Sequence, residues 1–449
     1  MRAIRTRLLI LALLVEAPLV ALHALGSLRQ HVPEAILLLL ATNIFYLVSC
    51  FWVLKKISPC NPGDINQLGT PAIPRAGASP VLWIAGAALV FRLTVFPLAP
   101  ALSDDLYRYR WEGLLQAHGG NPYQARPNDA AWSHLRDSAF DGVPGKDFKA
   151  VYGPVIERIQ LWTYRVVAAL IPDPVSQVFW MKLPAALADL GVIAALWALL
   201  AARGQPVERI LIYAWSPLPV VEFWGSGHND AIAVVFVVLA LVAAARERWW
   251  WAFVWLALGS SAKLWPLLLF PMFIGRSGRR RAVSALIALP VCAVTAWPYW
   301  SDVWENLRFL GGFLGGWRNQ DSLYGIVLWL TGDIYRAKYV TFALVAAAVL
   351  GFTLSRWPLE RAALWSIAAM LMLSANCHPW YLTWMLPLAA LAPSAPLLLW
   401  TALAPLSYAV LIDWEMLGVW HGSTPLRWYI YAPVYGLLIA RWIARRVRT

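Results

Sequence analysis

The sequence predicts an all-α, polytopic transmembrane bundle of about 11–14 helices, and three observations point that way. Hydrophobic residues make up 60% of the 449 and charged residues only 14%, too little charge to coat a soluble chain of this length. The apolar residues fall in runs of roughly 20, the length that crosses about 30 Å of hydrocarbon. Short basic loops separate the runs: Arg2, Arg5 and Arg7; Lys55, Lys56 and Arg75; Arg276, Arg279, Arg280 and Arg281; Arg441, Arg445, Arg446 and Arg448. Basic residues in short loops mark the cytoplasmic side. The net charge of +13 therefore reflects membrane topology and not a nucleic-acid partner.

Taken in order, the first apolar run, 8–25, reads as a retained helix and not a cleaved signal, because further spans follow. Those spans lie at 34–54, 80–100, 175–201, 207–224, 230–245, 248–275, 281–299, 338–355, 360–376, 379–392, 396–412 and 428–444. The 248–275 run is long enough for two short helices broken near Gly259-Ser260-Ser261. Residues 152–171 carry Glu157, Arg158 and Arg165 and make a poor lipid-facing helix. If 152–171 stays out of the membrane and 248–275 crosses twice, all four basic clusters share one side. The opposite, outer face then receives 101–150, the Gly227–Asp230 turn, 300–322, the Asn376–Pro379 turn and 413–427. The chain 1–449 thus forms one membrane domain, with 101–150 and 300–322 as its outer loops. Cys50, Cys60, Cys292 and Cys377 show neither metal nor redox spacing.

Polar residues concentrate in a few places. The 101–150 loop holds seven of the chain's 24 acidic residues. It opens with Ser103-Asp104-Asp105-Leu106-Tyr107-Arg108-Tyr109-Arg110-Trp111-Glu112-Gly113. Ser103 suits an N-cap and the two aspartates suit a first helical turn. Tyr107, Trp111, Leu114 and Leu115 recur at i, i+4, i+7 and i+8, an apolar stripe that predicts an amphipathic helix lying on the membrane surface. Asp104 and Asp105 either cap that helix beside Arg108 or do chemistry. The stretch Trp224-Gly225-Ser226-Gly227-His228-Asn229-Asp230 poses the same choice, although capping alone does not call for His, Asn and Asp together. Lys263, before Trp265-Pro266, sits inside an apolar run, where a lysine needs a cavity, an anion or a route out to the interface. A further turn, Asn376-Cys377-His378-Pro379-Trp380-Tyr381, sets a histidine among aromatics. Lys182, Asp189, Glu222 and Arg92 read as helix-packing charges. Arg318, Asn319 and Gln320 add a cation and amides to the second loop.

As a set, these residues resemble the GT-C glycosyltransferases, integral membrane enzymes that take sugars from polyprenyl-phosphate carriers. The pattern looks most like the bacterial polyprenyl-phosphomannose-dependent mannosyltransferases. It rests on Ser103–Gly113, Asn121-Pro122-Tyr123, Gly227–Asp230, Lys263 with Trp265-Pro266, and His378-Pro379-Trp380-Tyr381-Leu382-Thr383-Trp384. Where that group often has a Tyr-Pro-Pro-like sequence, this chain has Val151-Tyr152-Gly153-Pro154.

The resemblance implies that Asp104 or Asp105 is the general base. It also implies transfer of a hexose, mannose above others, to a glycolipid or glycan acceptor on the extracytoplasmic face of the plasma (inner) membrane. The chemistry agrees. Displacement at an anomeric carbon passes through an oxocarbenium-like state, and the acceptor hydroxyl must lose a proton. A phosphate leaving group is already anionic, so it needs a cation and no general acid. Lys263 comes first for that role, then Arg108, His378 and Arg318. One base without an enzyme nucleophile implies inversion.

His228, Asn229, Asp230, Tyr107, Trp111, Trp380 and Tyr381 are the candidate substrate contacts. Asp104, Asp105 and Asp230 could supply oxygens to a divalent metal, but the resembled group points to no metal and no other cofactor. The implied partners are a polyprenyl-phosphate sugar, the acceptor and membrane lipid. Glycine-rich nucleotide loops are absent, in keeping with a lipid-linked donor. The rival reading is a transporter or flippase of lipid-linked sugars, which would need no acidic loop and commonly shows internal repeats.

Overall fold

In a computed structural model of the chain, residues 2–56, 79–302, 318–420, 422 and 425–447 are described. Helices dominate; among these residues the strand-like pairing is a lone parallel bridge between Asn319 and Asn376. Among the described residues six helical stretches are long and apolar enough to cross a membrane: Ala3–Leu25, Val32–Lys55, Pro174–Ala202, Ala282–Tyr299, Ile334–Leu354 and Ala395–Leu417. Pro80–Val95 and Asp230–Ala245 are shorter apolar helices. The polytopic all-α bundle is thus borne out.

Helix α1 (Arg2–Ala21) packs on both α2 (Val32–Lys56) and α3 (Ser79–Val95). The polar segment that follows supplies α4 (Asp105–Ala117) and α5 (Pro154–Leu170). A short α6 (Pro174–Trp180) leads into α7 (Leu183–Ala202), and α8 (Asp230–Ala245) then lies between α7 and α9 (Trp249–Ala262).

Between α7 and α8 the expected 207–224 span is not one helix. Pro217 and Pro219 interrupt it, because proline lacks the N–H that continues a helix and crowds the preceding turn. The chain runs instead through short turns to a π-helical turn at Val220–Gly225. Every residue from 208 to 234 is buried, so other helices, not lipid, surround this segment.

The break in 248–275 falls later than expected. Ser260 Oγ bonds the Leu256 carbonyl at 2.8 Å inside α9, and the helix continues through Ala262. Lys263 then takes an extended backbone (φ −142°, ψ 147°), followed by a 3₁₀ turn, Trp265–Leu269, and α10 (Phe270–Ser277). Pro266 cannot donate to the Ala262 carbonyl. The Gly153 N–H takes that carbonyl at 3.1 Å.

This contact explains the glycine at 153. A Cβ there would sit 2.2 Å from the Ser261 carbonyl oxygen, and a proline would also lose the donated N–H. The start of α5 is thereby fixed to the end of α9. Helix α5 packs on α4 and α9 and is not among the crossing-length stretches.

Helix α4 departs from the surface-lying helix expected of it. Leu106 and every residue from Arg108 to Gln116 are buried. The apolar stripe is there, but the 121–150 loop folds over it, with Trp111 edge-on to Phe140 at 5.1 Å. Polar residues on the side facing α5 find partners there: Gln116 Nε2 bonds the Glu157 carbonyl at 3.0 Å. Ser103 Oγ accepts the Asp105 N–H at 3.3 Å, and Asp104 makes no capping bond. Of the second loop, 303–317, including Gly311, Gly312, Phe313 and Trp317, lie outside the described residues.

Candidate functional site

The two aspartates at the start of α4 point into different surroundings. Asp104 pairs with Arg29, which also reaches Glu415 near the other end of the chain. Asp105 faces a polar cluster. Its Oδ2 lies 3.2 Å from the Tyr152 hydroxyl, 3.3 Å from the Tyr109 hydroxyl and 3.8 Å from His228 Nε2. Among the described residues none bonds its Oδ1, and the side chain keeps 27% exposure. Burial first, and then Asp105, push both phenols well above their usual pKa, so they remain donors.

His228 reaches this spot because Gly227, at φ +71°, reverses the chain between the π-helical turn and α8. A side chain at 227 would strike Leu106. The His228 Nδ1 lies 2.9 Å from Glu222 Oε2. Burial alone would lower the His228 pKa, but Glu222, with Asp105 and Asp230 behind it, holds it above the ordinary histidine value.

Lys263 closes the cluster from the end of α9. Its Nζ bonds Asp230 Oδ2 at 2.7 Å and lies 5.3 Å from the Tyr152 ring centre. The other Asp230 oxygen accepts Trp384 Nε1 at 2.8 Å. An ammonium has three donors, so the pair fixes Lys263 and leaves it N–H groups for an anion; the side chain is 15% exposed.

Aromatic rings line the remaining wall. Trp380 is sandwiched between His228, at 3.9 Å, and His378, at 4.3 Å. Trp384 stacks on Tyr381 at 4.6 Å and on Trp265 at 4.9 Å. His378 Nδ1 lies 2.9 Å from the Asn319 amide nitrogen. Burial, reinforced by His228 and Lys263, pushes the His378 pKa down to about 3, so it acts as a neutral N–H donor. Buried polar atoms without a hydrogen bond gather here: both ring nitrogens of His228 and Glu222 Oε2, which meet as an ion pair only, both amide atoms of Asn229, and the side-chain carbonyls of Asn319, Gln320 and Asn376.

The structure thus assembles Asp105, His228, Asn229, Asp230, Lys263, His378, Trp380 and Tyr381 from segments far apart in sequence. Other candidates are engaged elsewhere. Arg108 holds Glu112 at 2.6 Å and the carbonyls of Gly145 and Phe148 at 2.9 Å each. Arg318 bonds Asp321 at 2.8 Å. Tyr107 lies against Gly142, and Trp111 is buried on Phe140 in the 121–150 loop. The packing reading holds for Arg92 and Asp189, which pair at 2.5 Å, and for Lys182, which bonds the Leu98 carbonyl at 2.6 Å.

Sequence reasoning read Glu222 as a packing charge and Asn319 only as a loop amide, and it gave Tyr109, Tyr152 and Trp384 no role of their own. Tyr109 carried a signal, four residues after Asp105 on one helix; Glu222 stood out as a charge in an apolar run, but its place beside His228 comes from the π-helical turn. Among the described residues no three His, Cys, Asp or Glu side chains gather as around a metal ion. Asp230, one of the carboxylates available for that purpose, has both oxygens engaged.

Residues 7–277, more than half of the 449, match the family described as alpha-(1->6)-mannopyranosyltransferase, N-terminal domain. The chain belongs to this family. It is a mannosyltransferase built on membrane-crossing helices, as the resemblance implied. The matched part of this mannosyltransferase contains Asp105, His228, Asp230 and Lys263; His378, Trp380 and Trp384 lie beyond it. No curated protein and no solved structure matches the chain.

Proposed function

We propose that the protein transfers mannose from polyprenyl-phosphate mannose to the 6-hydroxyl of an α-mannoside acceptor, a glycolipid or glycan, on the outer face of the plasma membrane. Asp105 is the base. The observation that carries this reading is the asymmetry of its carboxylate: Oδ2 is held by Tyr109, Tyr152 and His228, and Oδ1 has no partner among the described residues. A base must present one oriented oxygen to the hydroxyl it deprotonates.

In the step, the 6-oxygen attacks C1 of the donor and the C1–O bond to phosphate breaks, its electron pair leaving with the phosphate. The hydroxyl proton passes to Asp105 Oδ1. A single displacement inverts C1, so a β-linked donor yields the α-linkage after which the family is described. Lys263 and the neutral His378 bind the phosphate. Trp380 and Tyr381 offer flat faces to sugar rings, while Asn229 and Asp230 sit beside them. The step needs no metal, and the polyprenyl chain enters between helices from lipid.

The test uses purified protein in lipid vesicles with labelled polyprenyl-phosphate mannose. Octyl α-mannoside and its 6-deoxy analogue serve as acceptors, with and without chelator. Transfer to the first acceptor only, α-linked, indifferent to chelator and lost in Asp105→Asn, is the expected result. A β-linked product, dependence on a sugar nucleotide, or passage of the intact lipid-linked sugar across the bilayer without transfer would sink the reading.

A further inference from the structure

Glu222 is a fully buried carboxylate that the mechanism above does not use. It lies in the π-helical turn Val220–Gly225, a local winding that recurs at functional sites. Its Oε1 accepts the Tyr408 hydroxyl, and its Oε2 lies 2.9 Å from His228 Nδ1. Its backbone carbonyl accepts the His228 N–H at 2.8 Å. The two residues are therefore joined by a main-chain hydrogen bond, and their side chains meet as an ion pair. The far nitrogen of the ring, Nε2, is the one that faces Asp105 Oδ2, at 3.8 Å. Trp380 covers the ring face at 3.9 Å, so the ring cannot turn away without losing that stack.

We propose that Glu222 is a positioning residue that keeps His228 a cation and thereby seats Asp105 with Oδ2 bound and Oδ1 open. The inference rests on Asp105 being the base.

The distance decides why charge is needed. A neutral N–H at 3.8 Å forms no hydrogen bond, whereas an imidazolium still attracts a carboxylate there across a low-dielectric gap. A buried imidazolium in turn requires a carboxylate against it. Charged groups meet His228 from several elements. Glu222 approaches from its own segment, with Tyr408 behind it. Asp105 comes from α4, and Asp230 from the first turn of α8. Across Trp380 lies His378, whose pKa His228 and Lys263 both depress. Lys182 reaches the adjoining Gly227 with its aliphatic stem. Three carboxylates thus favour the cation against burial and the basic neighbours, in line with the raised pKa of His228.

The sign follows. His228 is charged below its raised pKa, so transfer is sustained there and declines as pH rises through that value. Without the Glu222 charge, burial lowers the His228 pKa, and the decline begins at lower pH.

The experiment is the kcat–pH profile of the full chain in lipid vesicles, with saturating polyprenyl-phosphate mannose and octyl α-mannoside, for wild type, Glu222→Gln, Glu222→Asp, His228→Asn and Asp105→Asn. The expected result for Glu222→Gln is an alkaline limb moved at least about one pH unit toward acid, roughly a tenfold loss on that limb, with kcat below the limb within about threefold of wild type. Glu222→Asp restores the limb toward wild type, and His228→Asn is slower with no such limb. A Glu222→Gln profile that keeps the wild-type shape, or loses rate equally at every pH, would overturn the proposal. So would a wild-type limb in His228→Asn, which serves if Glu222→Gln does not fold. Activity surviving in Asp105→Asn would instead remove the base assignment on which the proposal stands, and that failure is separately visible.

Discussion

Two ionic clusters meet at the start of α4, one residue apart, and they differ in burial and in pairing. The Asp104 cluster joins the turn after α1, the start of α4 and the helix Val410–Leu417 through Arg29 and Glu415. Its members are partly exposed and simply paired, acid to base. The Asp105 cluster is more buried, and its charges alternate through His228, Glu222, Lys263 and Asp230. Each charge in it faces an opposite charge, yet among the described residues Asp105 Oδ1 and the spare donors of Lys263 are left over. A strap has no use for a free oxygen; the base proposed at Asp105 requires one.

The largest effect should come from breaking the active side of this contrast. Asp105→Asn is expected to lower kcat by about 10²–10⁴-fold while donor binding persists, measured as transfer alongside binding of labelled donor. Lys263→Met should lower transfer by about 10²–10³-fold. It should also cost about 3–5 kcal/mol, because Asp230 is left buried and unpaired. Adding Asp230→Asn should recover thermal stability but not transfer, and recovery of both would mean that Lys263 only neutralises Asp230.

Gly153→Ala tests the joint that holds Tyr152 beside both Asp105 and Lys263. The new methyl meets backbone at 2.2 Å, so a loss of about 1–3 kcal/mol is expected, read as a lower unfolding midpoint in detergent. Glu157→Gln acts behind the site. Burial, and then Glu112, hold the Glu157 carboxyl well above its ordinary 4.5. Its contribution to stability is full below about that pH and is lost as pH climbs through the raised value. The glutamine variant should flatten that decline, measured as unfolding midpoints from about pH 4.5 upward. Asp104→Asn should do least, at about 1 kcal/mol or below and with near-normal transfer. A collapse of transfer in Asp104→Asn would erase the distinction between the clusters.

The sequence made the ingredients legible but not their orientation. Four constellations separated by up to about 270 residues converge on one cluster, because polar side chains in an apolar chain have few places to go. Neighbouring positions on a helix point about 100° apart, so only the fold separates Asp104 from Asp105. Arg108 and Arg318 read as phosphate ligands, although Glu112 stands four residues after the first and Asp321 three after the second. Those spacings are themselves a pairing signal. Helix α4 read as amphipathic because periodicity reveals an apolar face and says nothing of what covers the polar one. The place of Glu222 beside His228 was out of reach, since it depends on an extra residue in one helical turn.

Trp380 lies against His228, and Trp384 donates to Asp230, although the recognised family domain stops at residue 277. That boundary is one of sequence similarity and cuts through a stack of aromatic rings. Fragments 1–277 and 278–449 made apart would each carry half a site, and made together they should complement one another. A change at 228 or 230 is therefore felt at 380 or 384, in a part of the chain that the family match does not reach.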